Sequence, residues 1–231
     1  MKKMIFYFIL IFIILPLPAK TQNIIYLKIG TNQSKIRGDI TNFDFNQKHK
    51  PFGYEWTGGL IAAIAFQFKP ANYFVIEPEF QFTENGFDQR YYAYYLDSLL
   101  STSVRNFKLD YFKFSVLFKW YLDSYLPLEN HKVSVFALAG PNLSVLVNAV
   151  SKEKNDLDPL NELELYDFGF TFGMGSAYHL GAGSISLELR YYLGFVDTKL
   201  FQFYSDHYDV STETYNKSWE LLFGYSFPIV K

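Results

Sequence analysis

The chain has 231 residues, a formal net charge of −2 and no cysteine, and aromatic residues make up 20% of it. A net negative charge argues against a nucleic-acid partner, because phosphate binding requires a basic surface. Without cysteine the chain has neither disulfide bonds nor an acylated cysteine as a lipid anchor. The length and the aromatic content fit one β-rich domain.

The amino terminus has the pattern of an export signal. Two lysines precede an uninterrupted apolar run from Met4 to Leu15, and the run ends in proline-rich sequence before Ala19. The run is short for a transmembrane helix. We therefore predict a signal peptide over residues 1–19, with cleavage after Ala19 or after Thr21, and one mature domain over residues 20–231. The alternative is a retained membrane anchor.

Eight later segments alternate large apolar residues with polar residues or glycine, the pattern of strands with two unlike faces. Pro78 falls within the third strand and removes a backbone donor, so we expect a bulge or a gap in pairing there. The predicted strands run from Gln22 to Ser34, Gly53 to Lys69, Tyr73 to Thr83, Asn106 to Leu122, Lys132 to Val150, through the two arms of the hairpin Tyr166 to Phe195, and from Asn216 to Phe227.

The hairpin from Tyr166 to Phe195 shows the alternation most clearly. Its first arm places Phe168 and Phe170 on one face and Asp167 and Gly169 on the other. A large uncharged face opposite a charged or glycine-lined face is typical of a barrel with lipid outside and a wet or salt-bridged interior. The alternative is a soluble eight-stranded barrel of the lipocalin type, with the apolar face inside.

The connections between the strands alternate between long and short. Outer-membrane barrels have longer outer loops and short periplasmic turns, so this parity places both termini in the periplasm. Trp56 and Trp219 fall at long-loop ends and Trp120 at a short-turn end, the two levels of an aromatic belt. We predict an all-β, eight-stranded antiparallel up-and-down transmembrane β-barrel with long outer loops and short periplasmic turns, surrounded by lipid in the outer membrane of a Gram-negative bacterium. The long loops are residues 35–51, 85–104, 151–161 and 197–215.

The inward faces carry charges of both signs. Buried charges must be paired or hydrogen-bonded, so we predict an internal salt-bridge network that fills the lumen; the alternative is an ion or proton path. Heights along the strands suggest pairing Glu77 with Lys119, and Glu188 or Glu220 with Arg190. The inward charged residues are Lys28, Glu55, Glu77, Glu79, Lys113, Lys119, Asp167, Glu188, Arg190 and Glu220.

The long loops are rich in tyrosine, which provides a large contact area with a polar tip and is favoured at interfaces. These tyrosines are therefore a candidate binding surface for envelope or secretion proteins. The alternative is an aromatic girdle that extends past the membrane surface. The candidate residues are Tyr91, Tyr92, Tyr94 and Tyr95 in one loop and Tyr204 and Tyr208 in the last loop, with Tyr215 near them.

Signals for catalysis and metal binding are weak. The histidines, His49, His131, His179 and His207, lack metal-ligand spacing. His207 with a neighbouring aspartate could supply part of a catalytic set, but no nucleophile motif accompanies it. We predict no enzyme activity, no cofactor and no metal.

The order of these features resembles the outer-membrane β-barrel family of Bacteroidetes-type bacteria called the PorT family. The resemblance implies an outer-membrane barrel, and one family member is linked to secretion and gliding. We therefore expect a structural or binding role, as part of a secretion or surface complex or as an adhesion module. The alternatives are a small transport pore and a lipid-modifying enzyme. The carboxyl end differs, because four residues follow the last aromatic, Phe227. The motifs are Leu27-Lys28-Ile29-Gly30, Ile76-Glu77-Pro78-Glu79-Phe80, Ala137-Leu138-Ala139-Gly140-Pro141, Asp167 to Gly175 and Leu187-Glu188-Leu189-Arg190-Tyr191.

Overall fold

The computed structural model describes residues 24–38, 49–71, 73–95, 98–122, 132–151, 163–181, 183–199 and 213–228. The predicted signal peptide lies outside these residues and stays a prediction. None of the described residues forms a helix that is long and apolar enough to cross a membrane. The strands are β1 (Ile24–Arg37), β2 (His49–Ala71), β3 (Phe74–Tyr95), β4 (Ser98–Tyr121), β5 (Val133–Ser151), β6 (Tyr166–His179), β7 (Ser184–Gly194) and β8 (Tyr215–Pro228).

The strands form a closed antiparallel barrel in chain order. β8 returns to β1, and the two strands pair from Ile24 opposite Pro228 to Arg37 opposite Tyr215. Closure leaves the barrel wall without an open edge, so every backbone group can be paired where water is absent. The predicted eight-stranded up-and-down barrel is confirmed. The barrel end that holds the β2–β3 and β6–β7 connections is called the turn end. The other end of the barrel is called the loop end.

Side chains alternate across the barrel wall with the predicted facing. In β1, Leu27 and Ile29 are 50% and 66% exposed, whereas Lys28 between them is 2% exposed. On the outside, aromatic rings of neighbouring strands contact each other, as in the Phe80–Phe114 pair with ring centroids 4.7 Å apart. Apolar side chains therefore cover the outside and charged side chains the inside, the reverse of a lipocalin-type barrel.

The predicted loop over residues 85–104 is wrong, because these residues continue β3 and β4. The two strands pair from Asn85 opposite Leu109 to Tyr95 opposite Ser98, with only residues 96–97 between them. Aromatic and β-branched residues favour extended backbone, and a hairpin that is already paired can lengthen without a new loop. β2 follows this extension from His49 opposite Ala93. We call residues 49–56, 87–95 and 98–107 the projecting sheet.

Pro78 leaves a gap in pairing with β2 and does not produce a bulge. The described partners there are Ala65 with Glu79 and Phe68 with Ile76, with no register shift between them. On the other side Pro78 lies opposite Val116 of β4 in an undisturbed register. Pro78 has no backbone N–H, and its absence therefore interrupts pairing with β2 but not with β4.

The turn between β6 and β7 is tight. Gly181 has a φ of 73°, a left-handed conformation that glycine adopts without steric cost. The Leu180 N–H donates to the Gly183 carbonyl over 2.7 Å and closes the turn. The connection between β4 and β5 spans residues 122–132, and most of it lies outside the described residues.

Candidate functional site

Six charged side chains from four strands meet in the middle of the lumen. They form what we call the central ion lattice, with equal numbers of cations and carboxylates. Their side chains are at most 1% exposed in each ion pair. Carboxylates and cations this deeply buried require mutual pairing, because each loses its hydration. The members are Lys28, Glu77, Glu79, Lys119, Glu188 and Arg190.

Arg190 joins two carboxylates of the lattice. Its Nη1 and Nη2 donate to the two oxygens of Glu79 over 2.6 and 2.9 Å. Its Nε donates to Glu188 Oε2 over 2.8 Å. The planar guanidinium suits such bidentate pairing, which fixes geometry as well as charge. The pairing of Arg190 with Glu188 is one that the sequence suggested.

The two lysines complete the lattice. Lys28 Nζ lies 2.6 Å from Glu77 Oε1 and 2.7 Å from Glu79 Oε2. Lys119 Nζ lies 2.7 Å from Glu77 Oε2 and 2.8 Å from Glu188 Oε1. Lys119 therefore bridges two carboxylates, and Lys28 bridges three, because its Nζ also lies 3.2 Å from Glu188 Oε1. The structure brings together Glu77 and Lys119 as the sequence suggested.

Lys113 and Glu220 form a separate ion pair. Glu220 lies directly opposite Arg190 in the β7–β8 register, yet it pairs with Lys113, because the Arg190 guanidinium is held by Glu79 and Glu188. The Gln81 amide links the pair to the lattice when its nitrogen donates to Glu79 over 3.2 Å and its oxygen accepts from Lys113 over 3.3 Å. Lys113 also lies 4.7 Å from the centroid of the Tyr192 ring.

Asp167 lies nearer the loop end, and its partners are neutral. Its Oδ2 accepts hydrogen bonds from the Tyr192 hydroxyl over 2.6 Å and from Asn216 Nδ2 over 2.9 Å. Asn216 Nδ2 also lies 3.2 Å from the Tyr111 hydroxyl. Gly194 makes room for the carboxylate, since a Cβ there would lie 2.6 Å from Oδ2. The sequence marked Asp167 by its charge but gave no signal for these neutral partners.

The glycine-lined inner face of β6 accommodates aromatic rings from both neighbouring strands. A Cβ on Gly169 would lie 2.4 Å from the Tyr192 ring of β7, and one on Gly175 would lie 2.6 Å from the Phe136 ring of β5. Both aromatic side chains are at most 2% exposed. The glycines therefore provide the space in which large rings fill the lumen.

Buried apolar side chains lie inside the barrel at both ends of the charged region. The sequence prediction concentrated on charges and missed these two groups, although Ile36 and Leu109 follow the inward parity of their strands. The turn-end cluster consists of Leu117, Phe136, Leu138 and Ala177, with Tyr121 packed against it. The loop-end cluster consists of Ile36, Phe87, Phe107, Leu109, Tyr111, Leu146, Ala149 and Leu163.

The bases of two loops join above the loop-end cluster. The Thr198 N–H donates to the Thr214 carbonyl over 2.8 Å, and the Glu164 N–H donates to the Thr198 carbonyl over 3.2 Å. Lys199 Nζ lies 2.8 Å from Glu164 Oε2. This hydrogen bond with Glu164 raises the pKa of Lys199 above its usual value. The network holds the segment that carries Leu163, the one member of the cluster outside the strands.

Glu55 is not part of the buried lumen network. Its side chain is exposed, whereas the sequence prediction grouped it with the buried inward charges. Glu55 lies in the loop-end part of β2, opposite Asp88 and beyond the register shift between Trp56 and Ile61. Its carboxylate therefore stays accessible to water in the projecting sheet and needs no buried partner.

The candidate binding tyrosines fall in two groups. Tyr91, Tyr92, Tyr94 and Tyr95 belong to β3 in the projecting sheet, where the structure describes their backbone only. Tyr204 and Tyr208 lie outside the described residues.

Of the histidines, only His179 has a described side chain. It ends β6, and its Nε2 lies 3.1 Å from Ser134 Oγ, as a hydrogen-bonded residue beside a turn would. The backbone of His49 begins β2, and His131 and His207 lie outside the described residues. Within the described part of the chain, no group of three or more metal-ligating side chains is placed to hold a metal ion.

The chain is similar to several solved bacterial surface or outer-membrane proteins at low sequence identity. Neisserial surface protein A is 12% identical, with 89% of this chain and 97% of that chain covered and a TM-score of 0.46. OprG from Pseudomonas aeruginosa is 12% identical, with 92% and 98% covered and a TM-score of 0.47. Ail of Yersinia pestis, solved with the heparin analogue sucrose octasulfate, is 14% identical, with 89% and 99% covered and a TM-score of 0.39.

No curated protein matches the chain. The family model described as outer membrane protein beta-barrel domain matches residues 22–200. This match covers most of the chain and agrees with the closed barrel and its apolar outer surface. The chain belongs to this outer-membrane β-barrel family and lies in the outer membrane of a Gram-negative bacterium.

Proposed function

We propose that the protein is a non-enzymatic outer-membrane scaffold with a plugged lumen and a partner-binding loop end. The central ion lattice carries the proposal for the lumen. It bridges β1, β3, β4 and β7 across the interior by contacts such as Lys28 to Glu79 at 2.7 Å. An eight-stranded barrel has an interior that side chains can fill.

The apolar clusters support the same proposal. Each lies at one end of the charged region, so an ion that enters the lumen meets buried apolar side chains before the lattice. An ion in transit would lose its hydration there without gaining a partner. It would then have to break pairs whose members are fully buried, which is costly for each charge left unpaired.

Conductance of the purified protein in a planar bilayer tests the plug. Folded protein, identified by a heat-dependent shift in gel mobility, is expected to give no steady channel, while a general porin recorded in the same bilayer serves as the positive control. A stable conductance in proportion to the inserted folded protein would contradict the plug and favour a small transport pore.

The projecting sheet supports the proposed binding role. A tilted strand crosses the bilayer with about 9–11 residues, whereas β2, β3 and β4 have 23, 22 and 24 residues. Their loop-end parts therefore extend beyond the membrane surface. Tyrosines there suit a protein partner, because they combine a large contact area with a hydroxyl group.

A paired substitution tests this binding surface. Photocrosslinking from position 92 in native membranes is expected to give a defined adduct, and Tyr92→Ala with Tyr94→Ala is expected to abolish co-purification of the same partner. A crosslinker at Lys69, which is exposed at the turn end, is the control. Loss of the protein's cellular phenotype on His207→Ala but not on the tyrosine changes would instead favour catalysis.

We further propose that the partner is a component of a secretion or surface complex of the kind linked to the PorT family. The motif in β3 around Glu77 and Glu79 and the one in β7 around Glu188 and Arg190 support the resemblance, and these four residues form most of the central ion lattice. Deletion of the gene that encodes this protein is expected to change the set of secreted or surface proteins of the cell. An unchanged set would contradict this assignment while leaving the plugged barrel intact.

A further inference from the structure

A second group of charged residues lies on the outside of the barrel at the loop end, where β1 and β8 meet. Lys35 lies directly opposite Lys217, and Arg37 lies directly opposite Tyr215. The outward direction follows from the alternation in β1, where the neighbour Ile36 is buried in the loop-end cluster. We call Lys35, Arg37 and Lys217, with Trp56 and Tyr215, the outer cationic patch.

The cations of the patch lie on aromatic faces. Lys35 Nζ is 5.3 Å and Lys217 Nζ is 5.6 Å from the centroid of the same Trp56 ring. The Arg37 guanidinium is 5.2 Å from the centroid of the Tyr215 ring. Cation–π contacts hold the charged groups in place but do not neutralise them. The rings therefore keep three positive charges close together on one surface.

The patch lies at the depth of lipid headgroups. Along β8, the outward residue next to Lys217 is Trp219, which is 47% exposed and contacts Tyr191 with ring centroids 4.6 Å apart. Leu221 and Phe223 follow as outward apolar residues. Tryptophan and tyrosine mark the membrane–water interface. The patch begins one outward position beyond this level, on the side of the outer leaflet.

Like charges directly opposite each other in a sheet destabilise it, and Lys35 and Lys217 hold such positions with Arg37 nearby. Among the described ion pairs, none includes Arg37 or Lys217. The nearby carboxylate of Glu213 accepts a hydrogen bond from the Tyr215 hydroxyl. An anion that contacts Arg37 and Lys217 together would relieve the repulsion.

Strands β3 and β4 carry a different charge at the same end. There the outward residues include Asp88 and Asp110 together with Lys108. Asp88 Oδ1 accepts from Asn106 Nδ2 over 2.5 Å, and Asp110 Oδ2 accepts from Asn148 Nδ2 over 2.8 Å. Among the side chains that the structure describes at the loop end, three outward cations thus lie together where β1 and β8 meet, and there an anion in the surrounding lipid would meet them.

We propose that the outer cationic patch binds the phosphate of a phosphorylated lipid in the outer leaflet. Arg37 and Lys217 would donate charge-assisted hydrogen bonds to the phosphate oxygens, and Lys35 would add positive charge. Trp56 and Tyr215 would lie against the headgroup, the depth that such rings favour. The lipid is chosen over a soluble anion because the patch faces the membrane. This inference does not depend on the plugged lumen or on a protein partner.

Native mass spectrometry of the full folded barrel in detergent tests the proposal with defined probes. The probes are a bisphosphorylated lipid A, its dephosphorylated form and inorganic phosphate. Bisphosphorylated lipid A is expected to bind at least about tenfold more tightly than the dephosphorylated form, a difference of about 1.4 kcal/mol. Equal binding of the two lipids would overturn the proposal. Equal occupancy by inorganic phosphate would overturn the choice of a lipid.

Matched variants locate the site. Arg37→Gln with Lys217→Gln is expected to lose the preference for the phosphorylated lipid, whereas Lys69→Gln with Lys108→Gln removes the same charge from other exposed positions and is expected to keep it. Arg37→Lys with Lys217→Arg is expected to restore the preference, because both charges return. If the patch variant and its control lose the preference for the phosphorylated lipid equally, the lipid does not bind at the outer cationic patch. The lipid comparison on the unmodified protein decides the proposal even where a variant does not fold.

Discussion

The central ion lattice and the outer cationic patch use the same residue types in opposite ways. In the lattice, Lys28 Nζ lies within 2.7 Å of carboxylate oxygens from both Glu77 and Glu79. In the patch, Lys217 faces another lysine across the sheet and an aromatic ring beside it. The lattice cations all pair with carboxylates, whereas none of the described ion pairs includes Arg37 or Lys217 of the patch. The barrel wall therefore separates the paired charges of the lattice, which stabilise the fold, from the charges of the patch, which we propose bind a lipid.

The physical reason lies in the access of water. Inside the lumen a charge without a partner has lost its hydration, so each one must be paired when the barrel folds. At the loop-end rim a lysine keeps water or headgroups around its ammonium while its alkyl chain covers apolar surface. Substitutions of the same kind should therefore have different consequences on the two sides.

Arg190→Met should give the largest effect. It removes the bidentate partner of Glu79 and one of the three cationic partners of Glu188. Methionine keeps a long side chain, so two carboxylates remain in a buried site with less positive charge. Breaking a buried ion pair on one side costs about 3–5 kcal/mol. We expect that loss in the free energy of unfolding, measured by urea titration of the folded barrel in lipid vesicles with tryptophan fluorescence.

Lys217→Met is the comparison for this variant. In uncharged vesicles without phosphorylated lipid, it removes one of two facing like charges and one cation–π contact, which act in opposite directions. The change should stay within about 0.5 kcal/mol, as is usual for surface substitutions. If both variants lose stability equally, the contrast between interior and rim does not hold.

Phe114→Arg sharpens the comparison, because it places a cation on the outside without a headgroup nearby. Phe114 faces outward in the turn-end half of β4 and packs on Phe80. Arginine on the lipid face near the midplane costs about 2–4 kcal/mol, and near the interface about 0–1 kcal/mol. Val150→Arg, at an exposed position near the loop end, is the matched control. A small effect at both positions in the same titration would mean that the face around Phe114 does not meet lipid.

The fold could be predicted because its signal is local. Alternation with period two, as in Leu27, Lys28 and Ile29, indicates the facing of each strand without any knowledge of its neighbours. The failures have local causes as well. Glu55 lies in the exposed loop-end part of β2, beyond the buried charges, and aromatic residues extended β3 into a predicted loop.

The interior was harder to predict, because its contacts join strands that are not neighbours. Lys28 of β1 contacts Glu188 of β7, two strands away around the closed barrel, and strand heights alone do not show how far a side chain reaches. The positions of Glu77 and Lys119 along their strands did suggest that these two residues pair, because they lie in the same small region of the interior. Strand position could not choose between Glu188 and Glu220 for Arg190, because that choice depends on Lys113, which holds Glu220.

Trp56→Leu should give a small effect and isolates the aromatic part of the outer cationic patch. The change removes the ring shared by Lys35 and Lys217 but leaves both charges. Exposed cation–π contacts contribute about 0.5–1 kcal/mol, and leucine retains part of the apolar contact. We therefore expect a loss of at most about 1 kcal/mol in the same titration. Phosphorylated lipid should reduce the loss, because the phosphate would hold the cations together without the ring. Trp120→Leu, at the exposed turn-end belt, is the control. If phosphorylated lipid restores stability in this variant as well, the recovery reflects general stabilisation of the barrel by lipid and not binding at the patch.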